Sequence, residues 1–533
     1  MKAYKINLFI FSIIIVLAVI CYIFPSEGIQ IGAIELEFPS LSDVLGQEED
    51  SVEIPSESPE ELLARRLAEM RMQEEAQYLE YFHENAGRIH FPNDNISLFD
   101  PLFAALDEGK HSAVKILHFG DSQIEEDRIS SMLRSELQKK FGGQGVGIMP
   151  AVQTIPTLSI GQATDYEMQR HLVYGPTELR ATDNHYGIMG QRAQLDTTVH
   201  IRFYPRPKIS QDNPSHYFTR LQVWVGNING SLSVTCDGIT QQADTTQPGM
   251  QALSFTLPDS TVRTALTLQG NGEIYGISLG SPTGVSIDNI PMRGCSGTIF
   301  TQMNSQEIEQ YCRQNNVRLI ILQYGGNSVP YLKKESGISN YAQQLERQIK
   351  YIKRLVPTAE VLFIGPSDMA TKVKSEMQTY PHLPMVVDSI KHAALRAGAA
   401  YWDLYMVMGG KNSMVNWVNS QPPLAASDYV HFSRLGADKI GDMLCKSMML
   451  YYDYYKWRNQ KEVVIDDSCV VNIDSLLPLT QILADTVIQE VKEIDAEKNI
   501  DICSWNNRHL MHGLHRCVCS RLKRPSGIPL CQI

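Results

Sequence analysis

The sequence of 533 residues is poor in positive charge and in organised cysteine motifs. Lysine and arginine total 47 against 59 aspartates and glutamates, which gives a formal net charge of -12. Because nucleic acids are bound through clustered lysine and arginine, this balance argues against a nucleic-acid partner. The 10 cysteines form no Cys-x-x-Cys pair, so neither a zinc ribbon nor a thioredoxin-type motif is present. A neutral or polymeric substrate fits this composition better.

Long apolar runs are also scarce, except at the N-terminus. The run from Ile6 to Phe24 is almost uninterrupted, follows Lys2 and Lys5, and precedes acidic sequence. About 20 such residues span a bilayer, and flanking lysines keep the N-terminus cytoplasmic. A cleaved signal peptide is the alternative, although residues 25–28 offer no small-x-small cleavage site. We expect residues 1–27 to form a transmembrane helix, or a signal segment, that places the rest of the chain outside the cytoplasm.

Shifts in composition and periodicity divide the remaining chain into segments. Apolar residues at helical spacing predict a helix from Pro59 to about Glu84. Alternating strands and helices predict an α/β fold with a parallel sheet covered on both faces, and a stretch of short strands without helices predicts a β-sandwich inserted into it. The expected segments are an acidic linker (28–58), a helical lead-in (59–111), the α/β domain (112–150 and 283–457), the inserted β-sandwich (151–282) and a C-terminal extension without an assigned role (458–533).

A candidate nucleophile follows the first predicted strand of the α/β domain. The sequence Phe119-Gly120-Asp121-Ser122-Gln123 lies between an apolar run and a helical pattern, which places Ser122 on a tight turn. In open α/β sheets, active sites lie at the carboxyl ends of the strands. A Gly-Asp-Ser tripeptide is weak evidence by itself, because Asp and Ser are also common helix N-caps.

Three further blocks strengthen this assignment, since each follows or ends a predicted strand: residues 292–297 (MRGCSG), 323–328 (QYGGNS) and 427–436 (SDYVHFSRLG). Taken singly, the second block is compatible with a plain turn and the third with a surface histidine. Together they supply the parts of an acyl-transfer site. His431 is the candidate base for Ser122, and Asp428 can fix its tautomer if the segment folds as a turn.

The same blocks supply donors for an oxyanion, each worth about 3 to 4 kcal/mol in comparable sites. The candidates are the backbone N–H groups of Ser122 and Gly297 and the side-chain amide of Asn327, with Gly294 as a competitor to Gly297. This chemistry requires neither a metal nor an organic cofactor. A separate metal-site hypothesis concerns the tail, where ligand-type residues cluster without a standard zinc pattern: His509, His512, His515, Cys517 and Cys519.

In order and spacing, the four blocks resemble those of the SGNH (GDSL-like) hydrolases, whose name records Ser, Gly, Asn and His. The resemblance implies a three-layer, flavodoxin-like α/β/α domain with Ser122, Gly297, Asn327 and His431 in those roles. The insert between the Ser and Gly blocks, together with the glycine-rich residues 142–147, resembles peptidoglycan O-acetylesterases of Gram-negative envelopes, which carry a carbohydrate-module-like insert at this point. Gln123 departs from the pattern, because many relatives have His there.

The resemblance implies a serine esterase that removes O-acetyl groups from an envelope glycan, with peptidoglycan as the expected polymer. The expected partners are an acetylated cell-wall polymer and the inner membrane, and the expected location is the periplasm. Candidates for substrate contacts are Gln123, Arg293 and three aromatic residues of the insert, although each aromatic fits a core position better, since aromatic residues of sandwich strands usually face inward: Trp224, Tyr217 and Phe218. The alternatives are a glycan O-acetyltransferase using the same triad and a glycan-binding protein with an inactive site.

Overall fold

The computed structural model describes residues 3–23, 29–31, 34–36 and 59–459, apart from residues 208, 209, 248 and 260. The chain divides into two compact units, Met1–Glu80 and Tyr81–Ile533. Most of the predicted linker, nearly all of the predicted extension from residue 458, and the histidine- and cysteine-rich tail lie outside the described residues.

The first unit contains helix α1 (Ala3–Ile23), strands β1 (Ile29–Ile31) and β2 (Ile34–Leu36), and most of helix α2 (Pro59–Glu84). Helix α2 confirms the helical pattern of this stretch. Strands β1 and β2 pair antiparallel within the segment that we expected to be a solvated linker. Their alternating isoleucines, which favour strands, are the local reason for the difference.

None of the described helices is both long and apolar enough to cross a membrane. The predicted transmembrane helix at residues 6–24 is therefore not supported.

The second unit contains the elements that form the candidate site. Its helices are α3 (Asp100–Asp107), α4 (Arg128–Phe141), α5 (Ser305–Gln314), α6 (Glu335–Leu355), α7 (Leu383–Arg396), α8 (Leu404–Val407), α9 (Ser413–Asn419) and α10 (Arg434–Asn459). Its strands are β3 (Ile89–His90), β4 (Ala113–Gly120), β5 (Gly147–Met149), β6 (Ile160–Thr164), β7 (Gln169–Leu172), β8 (Gln191–Leu195), β9 (Val199–Pro205), β10 (Arg220–Gly226), β11 (Leu232–Cys236), β12 (Ile239–Gln242), β13 (Gln251–Thr256), β14 (Thr264–Gly270), β15 (Gly272–Gly280), β16 (Gly284–Pro291), β17 (Val317–Gln323), β18 (Glu360–Ile364), β19 (Ala370–Val373), β20 (Glu376–Thr379) and β21 (Ala400–Trp402).

The parallel sheet has the strand order β16-β4-β17-β18-β21-β3. All neighbours pair in parallel except the short edge strand β3, which is antiparallel to β21. Counted along the chain, the five parallel strands lie in the order 2-1-3-4-5, which is the doubly wound, flavodoxin-like arrangement. The predicted α/β fold with a parallel sheet is thus confirmed. The order reverses at β4 and β17, so the crevice for a ligand lies beyond their carboxyl ends.

Side chains of strand β4 alternate between two helical layers. Leu117 and Phe119 belong to the buried cluster that includes apolar residues of α6 and α7. His118 points the other way and contacts Ser130 of helix α4. The strand is buried along nearly its whole length, because helices cover both faces of the sheet.

Strands β5 to β15 build a β-sandwich. One antiparallel sheet has the order β13-β10-β15-β8-β7, with β5 also paired to β15, and the other has the order β12-β11-β14-β9-β6. Alternate residues of β9 (Val199, Ile201 and Phe203) are buried in the core between the sheets. Strand β5 lies in the segment that we assigned to the α/β domain, and its pairing with β15 places it in the sandwich instead.

A buried polar cluster joins the sandwich to the α/β domain. Lys115 Nζ lies 3.0 Å from Asp288 Oδ1, and both residues belong to the parallel sheet. The same carboxylate accepts hydrogen bonds from the Ile148 backbone N–H of strand β5 (2.9 Å) and from the Tyr311 hydroxyl of helix α5 (2.6 Å). Since an unpaired buried charge is costly, these partners fix β5 against β16.

Two of the aromatic residues that we considered for glycan stacking are in the core. Trp224 of strand β10 is 1% exposed, and its ring lies 4.8 Å from the Tyr311 ring across the contact between sandwich and α/β domain. Phe218 is fully buried within the sandwich core. Neither side chain can stack on a polymer, and the core alternative is correct for both. Tyr217 is half-buried, with its ring against His216.

We expect Trp224→Ala to lower the free energy of unfolding by about 3 to 5 kcal/mol, because it leaves a cavity where the sandwich packs on helix α5. Urea denaturation followed by circular dichroism measures this change. Tyr166→Ala, at an exposed aromatic residue of the insert, is the control and should change stability by no more than about 0.5 kcal/mol. Unchanged stability of the Trp224 variant, combined with weaker binding to glycan, would contradict the core assignment.

Candidate active site

Ser122 follows the carboxyl end of strand β4 and opens a short 3-10 helix, Ser122–Asp127. Asp121 caps this helix, with its Oδ1 accepting the Gln123 N–H at 3.0 Å. The N-cap interpretation of this tripeptide therefore applies to Asp121, while the Ser122 hydroxyl remains available for another contact. The turn lies at the sheet's reversal point, where the fold leaves room for a ligand.

The Ser122 hydroxyl contacts the histidine that the sequence pattern singled out. Ser122 Oγ lies 2.8 Å from His431 Nε2, and His431 Nδ1 lies 2.7 Å from Asp428 Oδ2. Asp428 Oδ1 accepts the backbone N–H groups of Val430 (2.9 Å) and His431 (3.0 Å), which folds the segment into the turn that its role requires. Serine, histidine and aspartate thus form one continuous relay with hydrogen-bonding distances throughout.

The environment of Asp428 favours its ionised form. Partial burial raises the pKa of this carboxyl, but the hydrogen bonds from the His431 ring and from the backbone N–H groups of His431 and Val430 outweigh burial and lower the pKa overall. An ionised Asp428 holds the proton on His431 Nδ1. His431 Nε2 is then the nitrogen that can accept a proton from Ser122.

Asn327 reaches the nucleophile turn from the neighbouring strand. It lies on the 3-10 helix Gly326–Tyr331 directly after β17, and its Nδ2 donates to Asp121 Oδ2 (2.9 Å) and to the Cys295 carbonyl oxygen (3.2 Å). Burial raises the pKa of Asp121 to about 6, and hydrogen bonds from the Gln123 N–H and the Asn327 amide partly offset this rise. The Asn327 amide is thus held by two acceptors of the protein, one of which belongs to the residue before Ser122.

The two competing glycines occupy different surroundings. Gly297 is buried with a φ of 81°, and a Cβ added there would lie 2.7 Å from the Tyr324 ring. Its N–H donates to Cys295 Sγ at 3.3 Å, and sulfur is a weak acceptor. Gly294 is exposed, and a Cβ there would meet nothing within 4 Å. The fold therefore demands glycine for reasons of space at position 297 and not at position 294.

Gln123 was expected to contact substrate, but the structure gives it another place. Its side chain is buried, with Nε2 donating to the Val430 carbonyl oxygen (2.6 Å) and Oε1 accepting the Phe432 N–H (3.4 Å). These two residues flank His431. Gln123 therefore holds the loop that carries the base, and it does so from the position next to the nucleophile.

Arg128 is a site residue that sequence reasoning missed. Its guanidinium donates to the carbonyl oxygens of Ser122 (2.9 Å), Glu125 (3.0 Å) and Phe432 (3.1 Å), so it joins the nucleophile turn to the base loop. The residue belongs to none of the four blocks. The available signal was a cation in the first turn of a helix, where the helix dipole disfavours positive charge.

Arg293 lies near the nucleophile turn but is already paired. Its Nε and Nη2 donate to the two carboxylate oxygens of Glu125 at 2.7 and 2.5 Å. The Glu125 side chain is buried and the Arg293 side chain is largely exposed, so the pair extends from the turn to the surface. Arg293 thus contacts the 3-10 helix that Ser122 opens.

A second histidine near the site is not suited to act as a base. His118 is fully buried beneath the turn, between Ser130 Oγ (2.8 Å) and Gln323 Oε1 (3.1 Å). Burial lowers the pKa of His118 to about 4, so the ring is neutral at physiological pH. Its two nitrogens link Ser130 of helix α4 to Gln323 of strand β17. Across the described ranges, no group of three or more histidine, cysteine, aspartate or glutamate side chains could hold a metal ion.

Comparisons with known proteins bear on the fold. No family model and no curated protein sequence matches the chain. A solved structure of a peptidoglycan O-acetylesterase, 20% identical, matches with a TM-score of 0.56 over 68% of this chain and 98% of its own length. The chain therefore has the fold of that solved structure. The resemblance drawn from the four blocks is thereby confirmed at the level of fold.

Other solved structures match more weakly. A family-two carbohydrate esterase from Cellvibrio japonicus is 9% identical over 56% of this chain and 99% of its own, with a TM-score of 0.22. A salicylyl-acyltransferase from a tetracycline biosynthetic pathway is 11% identical over 57% of this chain and 96% of its own, with a TM-score of 0.26. These scores are too low to carry an argument about this chain.

We expect Arg128→Lys to lower kcat on a small acetyl ester about 10- to 100-fold with little change in KM. A lysine ammonium cannot bridge three carbonyl oxygens as a guanidinium does, so the base loop would shift relative to Ser122. Steady-state kinetics and thermal melting measure the effect. Arg313→Lys, at an exposed arginine of α5, is the control. A changed KM with an unchanged kcat would contradict a positioning role.

Proposed function

We propose that this protein is a serine esterase that removes O-acetyl groups from an envelope glycan, with peptidoglycan as the polymer. The observation that carries the proposal is the relay from Ser122 Oγ through His431 to Asp428, with distances of 2.8 and 2.7 Å. The relay lies beyond the carboxyl end of β4, which is where a doubly wound sheet binds ligands. The likeness to a peptidoglycan O-acetylesterase adds support by analogy of fold.

In the proposed reaction, Ser122 Oγ attacks the acetyl carbonyl carbon while His431 Nε2 takes the hydroxyl proton. The tetrahedral intermediate collapses as the bond to the sugar oxygen breaks. The protonated His431 gives its proton to that oxygen, so the sugar leaves with a free hydroxyl group and the acetyl group stays on Ser122. His431 then deprotonates a water molecule that attacks the acetyl group, and acetate leaves as Ser122 recovers its proton.

The oxyanion of both intermediates needs donors that are in place beforehand. We assign this role to the N–H groups of Ser122 and Gly297 and to the Asn327 amide. The Gly297 N–H has only a thiol sulfur as its partner, and a strong oxyanion acceptor would replace so weak a bond at little cost. Asn327 would exchange its bond to the Cys295 carbonyl oxygen for one to the oxyanion.

The openness of the relay supports a large substrate. The side chain of His431 is 34% exposed and that of Asp428 is 49% exposed, so the base lies at the protein surface and not at the end of a tunnel. An acetyl group on a polymer can therefore approach Ser122 without threading of the chain. Because such polymers lie outside the cytoplasm, we also infer a periplasmic location.

We expect the protein to release acetate from O-acetylated peptidoglycan faster than from O-acetylated xylan or a small acetyl ester. Ser122→Ala should lower kcat by at least about 10⁴-fold, because no other group can form the acyl-enzyme. Ser336→Ala, at an exposed serine of α6, should retain full activity. Acetate release that persists in the Ser122 variant would refute the proposed nucleophile.

The same assay separates hydrolysis from transfer. A glycan acceptor without acetyl groups is added together with the acetylated donor, and the acceptor is analysed by mass spectrometry. We expect free acetate alone. An acetylated acceptor that forms in wild type but not in the Ser122→Ala variant would show that sugar replaces water in the second step, and the proposal of hydrolysis would then be wrong.

A further inference from the structure

A cavity of about 280 Å³ lies between the turn that carries Ser122 and the inserted β-sandwich. The turn contributes Glu125, Glu126 and Asp127, and Arg293 adds a wall from the α/β domain. The sandwich side includes Arg170 of strand β7 together with apolar residues such as Val152, Ile155 and Leu172. The cavity thus has a polar side next to the nucleophile turn and an apolar side formed by the insert.

The acidic residues of this cavity already have cationic partners. Glu125 binds Arg293, and Glu126 lies 3.9 Å from Arg128. Asp127 binds Arg134, which is itself buried. The negative charge of the turn is therefore matched within the protein.

Arg170 differs from these acidic residues. Within the described part of the chain, no carboxylate forms an ion pair with it, and its hydrogen bond is to a neutral group, from Nη1 to Thr154 Oγ1 at 3.1 Å. A guanidinium has five N–H donors in a rigid fork, so several remain for a ligand. Arg170 is half-buried at the edge of an apolar wall, and none of the described carboxylates pairs with it. Such a cation favours a ligand that carries one negative charge and an apolar portion.

We propose that this cavity is a substrate subsite in which Arg170 binds a carboxylate on the acylated glycan. The inference rests on the proposed esterase function and adds a substrate class to it, namely glycans whose sugar units or attached side groups carry a carboxylate. The insert then contributes directly to specificity, because the charge that selects the substrate comes from its strand β7. Ser122 and Arg170 act on two different groups of one substrate.

The test compares an O-acetylated disaccharide that carries a carboxylate with the same compound in which the carboxylate is a primary amide. We expect wild type to prefer the acid about tenfold in kcat/KM, mainly through KM, since one charge-assisted hydrogen bond distinguishes the two compounds. Arg170→Gln should abolish the preference. Arg202→Gln, at an exposed arginine on strand β9 of the other sheet, should retain it.

A binding measurement keeps the subsite separate from catalysis. Calorimetric titration with the deacetylated disaccharide acid should give a dissociation constant about tenfold lower for wild type than for Arg170→Gln, and equal constants for the amide. Equal affinity of wild type for acid and amide, or a preference retained in Arg170→Gln, would overturn the subsite. A preference in binding without any acetate release would instead leave the subsite standing and refute the esterase function.

Discussion

The candidate site depends on the contact between two segments that are 309 positions apart, the turn after strand β4 and the loop before helix α10. The nucleophile turn directly follows a central strand of the parallel sheet, whereas the base loop follows helix α9 and comes after no strand of that sheet. Gln123 and Arg128 hold the base loop by donating hydrogen bonds to the carbonyl oxygens of Val430 and Phe432, on either side of His431. Both donors belong to the nucleophile turn or the helix after it, so one short segment positions both parts of the relay.

The sheet determines which other groups can reach Ser122. Because β17 lies directly beside β4, the 3-10 helix that follows β17 brings Asn327 against Asp121. Because β16 lies on the other side of β4, the residues after it return to the same edge, where the Met292 N–H donates to the Gly120 carbonyl oxygen at 2.7 Å. The strand order 2-1-3 thus surrounds the nucleophile with two neighbouring loops, and both carry oxyanion candidates.

The inserted sandwich is integrated into the α/β domain. The buried Asp288 carboxylate binds a lysine of the sheet, the backbone of β5 and a tyrosine of α5, and Trp224 packs on that same tyrosine. Removing any of these partners would leave a buried charge or a cavity, so the insert is held in one position. This rigidity makes it reasonable for a residue of the insert to act beside the nucleophile turn, as proposed for Arg170.

Local patterns by themselves predicted much of the chain. Apolar runs and helical spacing predicted the alternation of strands and helices in the α/β domain, the short strands of the insert and helix α2, because buried strands and long helices each leave a recognisable pattern. They also identified Ser122, Asp428, His431 and Asn327, whose chemistry is recognisable from residue type and order. Strand β3 was missed because two residues carry no periodic signal.

Only the tertiary structure decided what each side chain faces. Sequence cannot tell a buried tryptophan from an exposed one on a strand, so Trp224 and Phe218 were candidates for stacking until their packing was known. Gln123 and Arg128 act through backbone carbonyl groups, which every residue has, so no pattern of side chains could reveal their partners. Arg170 is set apart because no carboxylate among the described residues pairs with it, and a charge balance between distant segments exists only once the chain has folded.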